Sequence, residues 1–336
     1  MENPKTTMES MERLKFWKGR NVLVTGGNGL VGSHIVEELI KNNANVIVLI
    51  RSKNPKSYFF TNGLDKKTIL AIGDLKDFKR VHDVISKYEI EYIFHVGAQP
   101  IVPTAIINPV ETFETNINGT INVLESARSC KSVKGIIVAS SDKAYGTSKE
   151  LPYTEETALK GEFPYDVSKS CTDLLAQSYF KTYGLPLTIA RFGNIYGAGD
   201  LNFNRIIPGT IKAGILNETL DIRSDGKMVR EYLYVKDVAD GYLMLCENIN
   251  KSNGEAFNLS SGLKLSVIEV IEMISKIMGK KVKYKILNVA KNEIYEQYLS
   301  TEKIERFFDW HTKYSFEEGI KETIEWYEKI LTGKKA

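Results

Sequence analysis

From residue 21 to about residue 190, short apolar runs alternate with longer stretches of helical periodicity. "NVLVTG", "NVIVLIR", "TILAIGD", "EYIFHVG", "GIIVAS" and "PLTIARF" are continuous in their hydrophobicity and do not alternate apolar with polar. Strands buried on both faces read this way, so the pattern predicts a parallel sheet covered by helices. Between the first two runs, "LVGSHIVEELIKNN" sets Val31, Ile35 and Leu39 on one helical stripe. "VETFETNINGTINVLESARSC" and "YDVSKSCTDLLAQSYFKTYG" read as longer helices. Strand and helix in alternation, joined by right-handed crossovers, give an α/β fold with a doubly wound, Rossmann-type parallel sheet.

After about residue 191 that rhythm stops. "GNIYGAGDLNFNRIIPG" is rich in Gly and Asn and reads as a long functional loop. "KLSVIEVIEMISKIMG", "KVKYKIL" and "SFEEGIKETIEWYEKIL" then predict helix, strand and helix, enough for a smaller α/β C-terminal lobe. The expected division is an N-terminal extension over 1–18, a dinucleotide-binding domain over 19–190 with about 229–249, and a substrate lobe over 191–228 and 250–336. A crevice between the two lobes is the expected ligand site.

Composition narrows the function classes. The 336 residues carry 45 Lys and Arg against 42 Asp and Glu. So even a balance argues against a general nucleic-acid binder and leaves room for a local phosphate pocket. Cys130, Cys171 and Cys246 are widely spaced and odd in number, which fits neither a zinc site nor a disulfide framework. His95, at the end of a strand, has no second ligand at metal spacing, so no metal is expected. No apolar stretch approaches a membrane span, and the polar N-terminus lacks a signal peptide's apolar core. A cytoplasmic protein is expected.

The first candidate chemistry is "VLVTGGNGLVGSH", a strand, a turn with Gly26, Gly29 and Gly32, and a helix. In this G-x-x-G-x-x-G spacing Gly26 permits the tight turn, Gly29 lets backbone approach a pyrophosphate, and Gly32 lets helix and strand pack closely. The helix N-terminus then faces the phosphates with its N–H groups and positive dipole end. A carboxylate at the end of the second strand would favour NAD; "VIVLIRSKNP" instead offers Arg51, Ser52 and Lys53. A cation suits a 2′-phosphate, so the reading is NAD(P) with NADP preferred. Asp74 follows the third strand and can accept from the adenine amino group.

The second is "PYDVSKS", which sets Tyr165 and Lys169 four apart on one helical face. A phenol is a poor base at neutral pH, and a nearby ammonium brings it toward the working range. Ser141, at the end of the preceding strand, supplies a third member. Directly after it stand Asp142 and Lys143, either a solvated turn or a second proton-transfer pair.

The glycine pattern, Ser141 and the Tyr165–Lys169 pair together resemble the extended short-chain dehydrogenase/reductase family. The resemblance covers nearly the whole chain, including "TNINGTINVLE", "REYLYVKDVADGYL" and "SFEEGIKETIEWY". It implies a nucleotide-sugar substrate, a tightly bound and recycled dinucleotide, and a homodimer built on helices near 109–130 and 165–183. It also implies cofactor contacts from Leu30, Val31, Leu75, Gly97, Ala98, Tyr165 and Lys169, and substrate contacts from Gln99, Asn194, Arg205 and Arg230. By the same resemblance Ser141 hydrogen-bonds the sugar 4-OH and Tyr165 removes its proton.

Within that family a 4-epimerase needs no further acid or base. A 4,6-dehydratase must also remove the C5 proton and expel the C6 hydroxyl, with hydride returning to C6. Asp142 and Lys143 supply a second pair for those steps, Asp142 as acid and Lys143 either as the base on C5 or as a group that holds the keto intermediate. The Asp–Lys pair is similar to the pattern of CDP-glucose 4,6-dehydratases, as are "FWKGRNVLVTG", "HVGAQPIV" and "GNIYGAGDLNFNRIIP". "GGNGLVGSH" and "REYLYVKDVADGYL" depart from that group, which leaves the nucleotide open. The alternatives are a nucleotide-sugar 4-epimerase and a non-catalytic dinucleotide-binding sensor.

Overall fold

The computed structural model describes residues 4–148, 150–289 and 294–333. All six apolar runs form strands: β1 Asn21–Thr25, β2 Asn45–Ile50, β3 Ile69–Ile72, β4 Tyr92–His95, β5 Gly135–Ala139 and β6 Leu187–Phe192. They pair in parallel. The later strands are β7 Asn194–Tyr196, β8 Thr219–Ile222, β9 Val229–Tyr234, β10 Ala256–Leu259, β11 Lys264–Ser266, β12 Lys283–Ile286 and β13 Glu296–Gln297. The large sheet has the order β10-β6-β5-β4-β1-β2-β3, so the chain reverses its direction of growth between β1 and β4. Ligands of such sheets bind beyond the carboxyl ends of the strands at that reversal. Leu23, Ile47, Ile93, Ile136 and Ile189, one from each of five neighbouring strands, meet Val81, Val123 and Ala176 of the covering helices in one dry core.

The chain divides into two compact units, residues 1–146, 158–191 and 239–257 in the first and 147–157, 192–238 and 258–336 in the second. Residues 250–257 therefore cluster with the first unit and 229–238 with the second, the reverse of the division expected from the sequence. The N-terminal extension forms a helix, Pro4–Trp17, that belongs to the first unit. Trp17 is fully buried and its Nε1 donates to Glu247 Oε1 at 2.6 Å. Arg13 bridges Asp240 at 2.6 Å and Glu247 at 2.8 Å.

In the second unit the expected long loop is partly ordered. "NIY" forms β7, parallel to β9, and Ile206–Leu216 is a helix. A three-residue strand flanked by Gly has too little periodicity to stand out in sequence. "SVIE" and "SFEE" each begin a helix with a complete capping box, Ser266 with Glu269 and Ser315 with Glu318.

Candidate active site

The turn after β1 is shaped by what cannot fit there. Gly26 has φ +67°, and a Cβ on it would lie 2.7 Å from Gly97 Cα in the turn after β4. A Cβ on Gly32 would lie 2.7 Å from Gly27 Cα. Glycine at both positions lets two strand-end turns touch and brings the helix Leu30–Lys41 down on the strand. Gly29 stands at the N-cap, and no side-chain hydrogen bond caps this helix. That cradle fits a dinucleotide pyrophosphate.

The next strand end is shaped by side chains. Ser141 caps the turn Asp142–Tyr145, its Oγ accepting from the Lys143 N–H at 3.2 Å and donating to Asp142 Oδ1 at 2.9 Å. Asp142 is only 4% exposed, so the wet-turn reading is set aside for it. Tyr145, which ends the turn, is buried, and Arg191 from β6 donates to its Oη at 2.8 Å. The same Arg191 makes a bidentate pair with Asp173 at 2.8 and 2.9 Å, with side chains 3% and 0% exposed. Asp173 lies on the helix Pro164–Tyr183, which also carries Tyr165 and Lys169. One buried ion pair thus ties the strand, the turn and the helix Pro164–Tyr183 together. A charged residue inside the apolar run "PLTIARF" was the sequence signal for it.

Lys169 is buried, and its Nζ donates to Ala139 O at the end of β5 at 2.7 Å. Burial pushes it down to about 8, against the pull of Asp173. His95 is buried and held neutral, pushed down to about 3 by burial and by Lys169. Its bonds define one tautomer. Thr120 Oγ1 donates to Asn116 O, so it accepts from His95 Nε2–H at 3.0 Å; His95 Nδ1 then accepts from Thr25 Oγ1 at 2.9 Å. Thr25 Oγ1 accepts in turn from Gly97 N–H at 3.0 Å. His95 is a joint between β1, β4 and the next helix.

That helix, expected as continuous, contains a wide π turn over Glu114–Asn118 between Pro109–Phe113 and Gly119–Ser129. The turn buries Asn116, whose amide donates to Ser168 Oγ at 2.9 Å and to Gln99 O at 3.1 Å. Asn116 therefore sets the helix Pro164–Tyr183 against the loop after β4, in keeping with the concentration of π turns at functional sites. Sequence reading did not single it out.

The remaining expected residues fall as follows. Leu75 is buried against Gly97 and Gly119, and Asp74 Oδ1 accepts from the Lys76 N–H at 2.9 Å. Ala98 adjoins Gly97 after β4. Arg51 is exposed and bridges Glu111 at 2.7 Å, and Ser52 O accepts from Asn28 at 2.9 Å. The Gln99 amide bonds Thr112 Oγ1 at 2.8 Å and the Ile101 N–H at 2.7 Å. In the second unit Asn194 lies on β7, Arg205 pairs with Asp200 at 3.0 Å, and Arg230 donates to the carbonyls of Val229, Tyr295 and Ile294. No group of three or more possible metal-ligating side chains occurs among the described residues. No helix among them is long and apolar enough to cross a membrane.

A profile of the GDP-mannose 4,6 dehydratase family matches residues 23–323. The chain belongs to this family. Similar proteins include CDP-glucose 4,6-dehydratase of Salmonella typhimurium, 25% identical over 95% of this chain and 93% of that one. The solved dTDP-glucose 4,6-dehydratase of Streptomyces venezuelae, with NAD bound, superposes with a TM-score of 0.84 at 27% identity, covering 92% and 97% of the two chains. UDP-glucose 4-epimerase of Thermotoga maritima, solved with UDP-glucose, gives 0.84 at 29% identity, covering 93% and 99%. Membership of this family of nucleotide-sugar dehydratases and epimerases fits the first unit's parallel sheet and its glycine turn.

Proposed function

We propose that the chain is a nucleoside-diphosphate-hexose 4,6-dehydratase, with a CDP-glucose-like substrate favoured. The observation that carries this reading is Asp142, a buried carboxyl group whose Oδ1 accepts from Ser141 Oγ. An epimerase has no use for a carboxylate there; an elimination needs one.

When bound, NAD(P) supplies hydride acceptance at sugar C4 and hydride donation at C6. Gly26, Gly29, Leu30, Val31 and Gly32 would hold its pyrophosphate, Asp74 and Leu75 its adenine end, and Gly97 and Ala98 the middle. Ser141 fixes the sugar 4-OH and Tyr165 takes its proton, with the buried Lys169 supporting the phenolate. The resulting 4-ketone acidifies the C5 proton. Lys143 as the amine takes that proton, the C5–H electrons form the C5–C6 double bond, and the C6–O bond breaks as Asp142 gives its proton to the departing hydroxyl. Gln99, Asn194, Arg205 and Arg230 are proposed to bind the nucleotide sugar. The cation at Arg51, beside Ser52, supports a preference for NADP; Arg51→Ala should then weaken NADP binding and leave NAD binding in place.

Incubation with CDP-, GDP-, UDP- and dTDP-hexoses, followed by product mass, tests the reading. Loss of one water supports it. An isomer of equal mass favours the epimerase, and no turnover favours the sensor. A homodimer is also proposed: Ile106, Ile107, Val110 and Leu174 stand exposed on helices of the first unit, Ile107 at 84%. Val110→Glu with Leu174→Glu should yield a monomer by light scattering.

A further inference from the structure

The cation that supports NADP binding is already engaged. Arg51, the first residue after β2, gives Nη1 to Glu111 Oε1 at 2.7 Å, and Lys76, after β3, reaches Oε2 of the same carboxylate at 3.4 Å. Lys76 also reaches Glu114 at 3.4 Å. β2 and β3 are neighbours in the sheet, so cations from adjacent strand ends converge on one carboxylate, each on its own oxygen. In such folds the residue at the end of the second strand meets the adenine ribose. The segment that carries Arg51 is held to the glycine turn, because Asn28 donates to Ser52 O at 2.9 Å. The acid is the anchored member of the cluster. Asn108 Oδ1 accepts from the Glu111 N–H at 3.2 Å, and the next residue, Thr112, accepts from the Gln99 amide at 2.8 Å. The Arg51 side chain is 64% exposed and has room to turn away. Its hydrogen bond, with Lys76 adding to it, holds the Glu111 carboxyl below the usual carboxylate range. Glu111 is therefore a full negative charge at neutral pH.

We propose that Glu111 is a specificity-determining residue of the dinucleotide site: it occupies Arg51 and Lys76 as a resident anion, which the 2′-phosphate of NADP must displace and the 2′-hydroxyl of NAD need not. This rests on the reading of NAD(P) at the glycine turn and of Arg51 as a phosphate ligand. It adds Lys76 as a second phosphate ligand and Glu111 as the group that opposes both. The ion pairs set two carboxylates against two cations, so the cluster offers a phosphate no net charge until Glu111 gives way. A like charge built into a site is the repulsive half of specificity, and here it limits a preference that Arg51 alone would set.

Calorimetric titration of the full chain with NADP and with NAD tests this. Glu111→Gln keeps the size of the side chain and an accepting oxygen and removes the charge. It should tighten NADP roughly 3- to 10-fold, the scale of one or two exposed ion pairs, and leave NAD within about twofold. Lys76→Met should weaken NADP by a similar factor and spare NAD. In an Arg51→Ala background the gain from Glu111→Gln should shrink, because the pair it releases is gone. An equal gain in both backgrounds would mark a diffuse field effect and overturn the proposal. NADP affinity unmoved or weakened in Glu111→Gln would overturn it too, as would an equal tightening of NAD, the mark of a merely structural change. The two readings fail separately. If Arg51→Ala weakens NADP while Glu111→Gln leaves it unmoved, the phosphate role of Arg51 stands and this proposal falls. If the wild type favours NAD while Glu111→Gln tightens NADP, the NADP preference is retired and this proposal is supported. Binding of neither dinucleotide would retire both.

Discussion

The turn after β1 and the turn after β5 both follow the carboxyl ends of strands in the same parallel sheet and are held in opposite ways. The first, Gly26 to Gly32, is held by absence: backbone lies against backbone where any Cβ would intrude. The second, Ser141 to Gly146, is held by presence: a capping serine, a buried tyrosine, and an arginine paired with an aspartate 18 positions away on the helix Pro164–Tyr183. The first turn should therefore be indifferent to pH and intolerant of volume. The second should be sensitive to charge. Each expectation can be broken by experiment.

The largest effect is expected from Asp173→Ala. Removing one partner leaves the Arg191 guanidinium buried and uncompensated, at a cost of about 3–5 kcal/mol. Denaturant unfolding measures it, and a loss under about 1 kcal/mol would mean the second turn does not depend on the pair. Next comes Gly32→Ala in the first turn. A methyl group forced against Gly27 costs roughly 1–3 kcal/mol, and calorimetric titration should find dinucleotide binding abolished. Retained affinity would contradict the cradle.

A pH test follows from Lys169. Its folded value of about 8 lies below that of a free lysine, so the unfolded chain binds the extra proton between about 8 and 10.5. The contribution of this group to stability therefore rises with pH across that window. Lys169→Met should flatten the slope in thermal melts taken between those values; an equal slope in both proteins would place the titration elsewhere. The smallest effect is expected far from both turns. Arg13→Ala removes a part-buried bridge to Asp240 and Glu247 and should cost about 1 kcal/mol, with kcat and KM unmoved.

The same contrast explains what the sequence disclosed. The glycine turn and the six parallel strands are local: three glycines at fixed spacing and continuous apolar runs carry their own meaning. Ser141, Tyr165 and Lys169 were legible because a helical spacing of four and a strand end place them. The network behind them was not, because Asn116, Thr120, Asp173 and Arg191 acquire their roles only when β4, β6 and two helices meet. Asn116 needed a π turn that no periodicity announces, and β7 was too short to stand out from its glycines. Asp142, first read as wet turn or catalytic acid, is decided against the wet turn by its exclusion from solvent.

The central claim is elimination across C5 and C6, and a reaction run in heavy water tests it most directly. With the nucleotide hexose that the protein turns over, the account predicts a product that has lost one water and carries one deuterium at C5, seen by mass spectrometry and proton NMR. A product of unchanged composition, inverted at C4 and free of deuterium at C5, would contradict it.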